Sequence, residues 1–134
     1  MAGMTTRGRG ARTAQAVEVD ERDSSWEDPE PRFRVYLHDA VDGPGGATQT
    51  HDLTGVDVLQ AIDWAQRRAG TTHTWAIALV ADDAHGRRGL VWLVGADGNE
   101  SPGDPVTDDA HRRMLLRRDR PVALGPDDAH PEQI

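Results

Sequence analysis

Two apolar stretches separated by a polar turn set the main constraint on this chain. Thr72–Ala81 reads THTWAIALVA and Gly89–Ala96 reads GLVWLVGA, with DDAHGRR between them. Strand-length runs of this kind, joined by a turn rich in Asp and Gly, predict a β-hairpin. Setting Val80 opposite Leu90 places Ala78 against Trp92 and Ala76 against Val94. On the opposite face Leu79 meets Val91, Ile77 meets Leu93 and Trp75 lies over Gly95. Such small-against-large complementarity favours this register. Both faces of the hairpin are apolar, so a single covering layer does not bury it.

The segment before it supplies one cover. In Thr54–Gly70, TGVDVLQAIDWAQRRAG, the apolar residues Val58, Leu59, Ile62, Ala65 and Ala69 share one side of a helix. Thr54 is placed to cap it, and Asp57 lies near its positive end. Arg67 and Arg68 occupy the last turn, and Gly70 can take the left-handed conformation that ends a helix. A second helix is predicted over Thr107–Asp119, with Thr107 as its cap and Pro121 as its stop; it is the nearest candidate cover for the hairpin's other face. Upstream, Arg32–Ala40 alternates as a half-buried strand, with Phe33, Val35 and Leu37 on one side and Arg34, Tyr36 and His38 on the other. After the Gly/Pro loop Val41–Ala47, Thr48–Leu53 is a short polar strand suited to a sheet edge. The order predicts a small α+β two-layer sandwich. Its sheet is four-stranded and largely antiparallel, in β-β-α-β-β order with a C-terminal helix.

The domain limits follow from where apolar patterning stops. Residues 1–31 are expected to be a disordered tail: RGRGAR opens the chain, and an acidic run from Glu18 to Glu30 follows with only Arg22 opposing it. Residues 32–120 form the single domain, and 121–134 are expected to be a loose C-terminal tail. Trp26 stands out in the first tail as an aromatic that can anchor on the domain or on a partner.

Composition removes several chemistries. The 134 residues include no cysteine and no lysine, so thiolate sites, disulfides, Schiff bases and a P-loop lysine are excluded. A net charge of −8 opposes general binding to nucleic acid or anionic membranes. No apolar run reaches the length of a membrane span and no secretory h-region is present, which predicts a cytoplasmic protein. Ser24, Ser25 and Ser101 lie in tail or loop with no nucleophile elbow, and Gly43, Gly45 and Gly46 do not precede a helix. The adjacent Asp82 and Asp83 are explained by turn chemistry. The basic cluster Arg112, Arg113, Arg117, Arg118 and Arg120 is read as a solvated helix face or a counter-ion for the acidic tail. No cofactor and no catalytic set are predicted.

Two functional readings remain. The first is a non-catalytic protein-binding, regulatory or accessory module of the immunity or inhibitor type. Its contact face centres on Trp64, with Gln60, Arg68 and Val56, and on Trp26. Trp64 falls on the polar side of the helix, where an aromatic beside an arginine suits an interface anchor or a site covered by the chain's own tails. The partner is another protein or a second copy of the chain. The alternative is a small ligand-binding domain or enzyme on the first hairpin. If Leu37 faces Leu53, then His38 sits opposite Asp52 with Tyr36 alongside, a His–Asp pair able to orient an imidazole for proton transfer or metal binding.

Overall fold

A computed structural model describes residues 13–39, 47–97 and 103–132. Its centre is an antiparallel four-stranded sheet in the order β2-β1-β3-β4, formed by β1 (Arg32–Asp39), β2 (Thr48–Leu53), β3 (His73–Asp82) and β4 (Arg88–Val94). Helix α1 (Val58–Ala69) lies across β1 and β3 on one face. Helix α2 (Pro105–Asp119) lies against β3. The α+β architecture with a C-terminal helix is the one expected. Among the described residues no helix is long and apolar enough to cross a membrane.

The large side chains of β1 and β3 point to one side. Phe33, Val35 and Leu37 meet Leu79, Ile77 and Trp75 across the pair, and together with Leu53 they form the floor of the core. Helix α1 lies on it through Ala61, Ala65 and Ala69, whose small side chains let the helix axis come close to the bulky sheet residues. The helix is therefore turned from the expected stripe. Val58 and Leu59 remain 36% and 40% exposed, and Ile62 packs at the edge of the core. Its start also differs. Asp57, not Thr54, is the cap: Asp57 Oδ1 accepts from the Gln60 N–H at 2.9 Å, and Gln60 Oε1 accepts from the Asp57 N–H at 3.0 Å. This reciprocal pair satisfies two backbone donors at once. Gly70 ends the helix at φ +58°, as expected of it.

On the other face β3 presents Ala76 and Ala78, both fully buried. Their small size makes room for Met114 of α2, which is 3% exposed. The approach is close at Gly95: with φ +82°, a side chain there would stand 2.8 Å from Ala76 Cβ and 3.3 Å from Met114 Cγ. Helix α2 starts at Pro105, two residues before the expected cap. Asp104 caps it and accepts from the Thr107 hydroxyl at 2.9 Å, and proline is tolerated in the first turn because its missing N–H has no helical partner there.

The β3–β4 register matches the sequence reading for Val80↔Leu90, Leu79↔Val91 and Ala78↔Trp92. A bulge then intervenes, and Ile77 pairs with Val94 instead of Leu93. One extra residue in β4 is accommodated at Leu93.

Candidate interaction surface

Trp64 and Gln60, two of the residues expected to meet a partner, are contacted by the chain's own C-terminal segment. Trp64 is 3% exposed and belongs to the core cluster. Its indole N–H donates to Glu132 Oε1 at 2.8 Å, the Arg68 guanidinium stands 5.3 Å above its ring, and the rings of His51 and His130 lie 5.1 Å and 6.4 Å away. The segment that covers it is the one read as a loose tail. The Val122 N–H donates to Gln66 Oε1 at 2.6 Å and the Val122 carbonyl accepts from Gln66 Nε2 at 3.2 Å. The His130 N–H donates to Asp63 Oδ2 at 2.8 Å, and the Ala129 carbonyl accepts from Gln60 Nε2 at 3.5 Å. Residues 122–132 thus run along α1 as a strap.

Asp63 shows what the strap achieves. Burial raises its carboxyl pKa, but the His130 N–H and the Arg67 guanidinium at 3.0 Å outweigh that and hold it below the ordinary carboxylate range. Removing the strap leaves a buried carboxylate short of a donor. Trp64 is on the flank of α1 expected for it, beside Gln60 and Arg68, yet it is not open to a partner in this fold. Val56 is partly buried and packs against the core. The contact face predicted on α1 is accordingly corrected: a large aromatic with a polar N–H found its cover within the chain.

Trp26 is 80% exposed. Residues 13–31 are exposed almost throughout and hold one 3₁₀ turn at Glu21–Asp23 and a bend at Pro29–Glu30. Trp26 borders an open groove with Pro31, Arg32, Val80, Asp82 and Arg88. Residues 1–12 lie outside the described residues.

The His38–Asp52 pair does not form. Phe33, not Leu37, faces Leu53, a register displaced by four residues from the expected one. Asp52 lies opposite Arg34 and is held by it at 2.7 Å and by Arg32 Nε at 2.7 Å. The Arg34 bonds, followed by those from Arg32, overcome the effect of burial and bring its carboxyl down to about 2. His38 lies opposite Thr48, with its Nδ1 3.0 Å from the Thr48 hydroxyl. The Tyr36 and Trp92 rings meet at a tilt of 46°, 5.0 Å between centroids. The two rings meet above Ala76 and Ala78, which pair with Tyr36 and Trp92 respectively. Asp52 and Tyr36 thus share Arg34 as a partner, while His38 lies apart with Thr48, and the three do not form the expected site. Among the described residues no group of three His, Asp or Glu side chains is placed to hold a metal ion.

In the basic cluster of α2, Arg112 and Arg113 contact Asp109 and Arg118 contacts Asp119. These local ion pairs reduce the field that the cluster presents.

The surface that sequence reasoning missed is the outer edge of β4. It is the last strand in the sheet, and among the described residues it pairs only with β3, so one row of its backbone N–H and C=O groups faces outward. Leu90, Val91, Trp92 and Leu93 are 37%, 51%, 37% and 43% exposed. They include side chains on both faces of the sheet, since Leu79 pairs with Val91 on the α1 side and Ala78 with Trp92 on the α2 side. The His51 contact fixes the Trp64 flank of α1 toward β2. At 100° per residue, Ile62 and Leu59 lie roughly 160° and 220° around from Trp64, which turns the exposed Leu59 toward the β4 side. Exposed edges are ordinarily blunted with charge or proline, and Leu90–Val94 contains neither. The signal available in the sequence was the two-faced apolar pattern of this strand; which strand is the sheet's last one is not part of that pattern.

No family model, curated protein or solved structure matches this chain. The geometry alone carries the functional reading.

Proposed function

We propose that this protein is a non-catalytic interaction module, of accessory or inhibitory type, that binds a protein partner through the outer edge of β4. The observation that carries the reading is the open apolar edge: four consecutive large side chains about half to two-thirds covered, beside a free row of backbone groups. A partner strand added there satisfies the backbone groups, while side chains on both faces give the contact its apolar area. A cytoplasmic setting fits a chain that takes no stability from disulfides.

The test is capture from a lysate of the native host with immobilised wild-type protein and with Val91→Glu, followed by reconstitution with the purified partner. Val91 is half exposed, so the charge is tolerated by the fold while it opposes strand addition. A partner retained by the wild type and lost by Val91→Glu supports the reading. Equal capture by both proteins overturns it.

A further inference from the structure

We infer that residues 129–132 form a proton-operated latch over Trp64: protonation of His130 frees Glu132 from the indole while Gln66 keeps its hold on Val122. The latch lies on the α1 flank and is independent of β4 as a contact strand.

One hydrogen bond of fixed direction seats the latch. The Glu132 N–H donates to His130 Nδ1 at 2.9 Å. A backbone N–H can only donate, so Nδ1 carries no proton and the neutral ring holds its hydrogen on Nε2. A protonated ring carries hydrogen on both nitrogens, and Nδ1 then turns a donor toward a donor. The bond that places Glu132 is lost, and with it the position of the carboxylate whose Oε1 accepts from the Trp64 indole at 2.8 Å. The charged groups around His130 do not replace it. On α1, Asp63 already accepts from Arg67 Nε through both oxygens at 3.0 Å and from the His130 N–H at 2.8 Å, and the Arg68 guanidinium stands 5.3 Å above the Trp64 ring. From β2, His51 meets Trp64 at 5.1 Å between ring centroids. In the 3₁₀ turn Pro126–Asp128, Asp128 accepts from the Gly125 N–H and Asp127 is exposed to solvent screening. Asp63 and Glu132 attract a charge on the ring while Arg67 and Arg68 repel it, so the lost acceptor decides the sign. No residue of 122–132 is buried, so the segment gives up little apolar contact on lifting. Gln66 holds the Val122 N–H and carbonyl at 2.6 Å and 3.2 Å without a titratable group, which makes the start of the strap the hinge.

Hydrogen exchange of the full chain, read residue by residue at about pH 8 and about pH 5, brackets imidazole titration and tests the latch. After correction for the intrinsic slowing of exchange in acid, the Trp64 indole N–H and the Glu132 amide of the wild type are expected to lose protection at the lower pH. The Val122 amide and the far-UV spectrum are expected to stay unchanged. His130→Asn sets an amide oxygen in the place of Nδ1, an acceptor that does not titrate, and retains the backbone N–H to Asp63. It is expected to keep the indole and the Glu132 amide protected at both pH values. His51→Asn is expected to respond as the wild type does. A wild type equally protected at both pH values overturns the latch. So does a His130→Asn protein that opens in acid as the wild type does, or that is open already at the higher pH, since an acceptor at that position would then not be what holds Glu132. Loss of the response in His51→Asn assigns the proton to His51 and overturns the role of His130. Loss of protection at Val122 in step with Glu132 overturns the hinge in favour of release of the whole strap.

Discussion

At one edge of the sheet β2 turns Thr48, Gln49, Thr50 and Asp52 toward solvent; at the other, β4 turns out Leu90, Val91, Trp92 and Leu93. Both are end strands, each hydrogen-bonded to one neighbouring strand among the described residues, and they differ in what the rest of the chain does for them. Beside β2, the strap of residues 122–132 closes over Trp64, and Arg32 and Arg34 hold Asp52. Beside β4 the chain carries a bulge at Leu93, one of the devices by which an edge resists pairing, and an ion pair of Arg88 with Asp82 at the start of the strand. The C-terminal segment has settled on the half of the molecule whose edge is already polar. Among the described residues no further strand pairs with the apolar edge, and that asymmetry is the main argument for the proposal that β4 is a contact strand.

The comparison breaks first if the β2 side is not the self-sufficient half. Trp64→Ala removes a buried indole from a packed core and is expected to cost about 3–5 kcal/mol of folding stability, read from the urea midpoint of the monomer. A loss below about 1 kcal/mol would mean that the strap collapses onto the vacated space and that Trp64 organises little. Shortening the chain after Arg120 tests the strap directly. It uncovers Trp64 and deprives Asp63 of the His130 N–H, for an expected loss of about 2–4 kcal/mol. Fluorescence of Trp64 shifting to longer wavelength in the folded, shortened protein checks that the loss arises from exposure there.

A third measurement sharpens the polar edge by pH. The folded-state pKa of Asp52 is depressed to about 2, so its stabilisation is fully present above the ordinary carboxylate value and is lost as pH falls through about 4 toward about 2. The side chain is 27% exposed, so solvent screening trims the effect to about 1–2 kcal/mol. Asp52→Asn is expected to be less stable than the wild type by that amount at neutral pH. The gap should close by about pH 2, as the wild type loses the same interaction. A gap that stays constant with pH would assign the cost of Asp52→Asn to packing and not to its ion pairs with Arg32 and Arg34.

The sequence made the layers legible because periodicity reports faces. Phe33, Val35 and Leu37, and Trp75, Ile77 and Leu79, emerged on the buried side as their alternation required. The β1–β2 register did not emerge. A displacement of four residues keeps every side chain on its face, so face patterning cannot detect it, and the deciding interaction was Arg34 with Asp52. The bulge at Leu93 does move Val94 to the other face, but a strand apolar on both faces hides that change. The flank carrying Trp64 was legible from helical geometry, but its cover was not. Val122, Ala129, His130 and Glu132 act mainly through backbone groups and one carboxylate, which leave no periodic trace. Strand order decides which apolar strand stays open, and it depends on long-range pairing between β1 and β3 that no local window contains.

The smallest expected effect gives the sharpest test of the asymmetry. Val91→Thr with Leu93→Thr puts a β-branched residue of good sheet propensity at both positions while removing apolar surface where the native side chains are 51% and 43% exposed. In a single chain these substitutions are expected to change folding stability by about 0.5 kcal/mol or less, because surface positions outside caps, ion-pair networks and the core contribute little. Association changes what is measured. A partner that binds only the folded state raises apparent stability by mass action, so the wild-type melting temperature should climb with the concentration of a partner captured through β4. The double variant should show a flatter dependence, and the two curves should converge on dilution. Convergence places the value of Val91 and Leu93 in the contact between chains. A midpoint lowered by several degrees at every concentration would place it within one chain, and β4 would then be an ordinary part of the core with no more claim to a partner than β2.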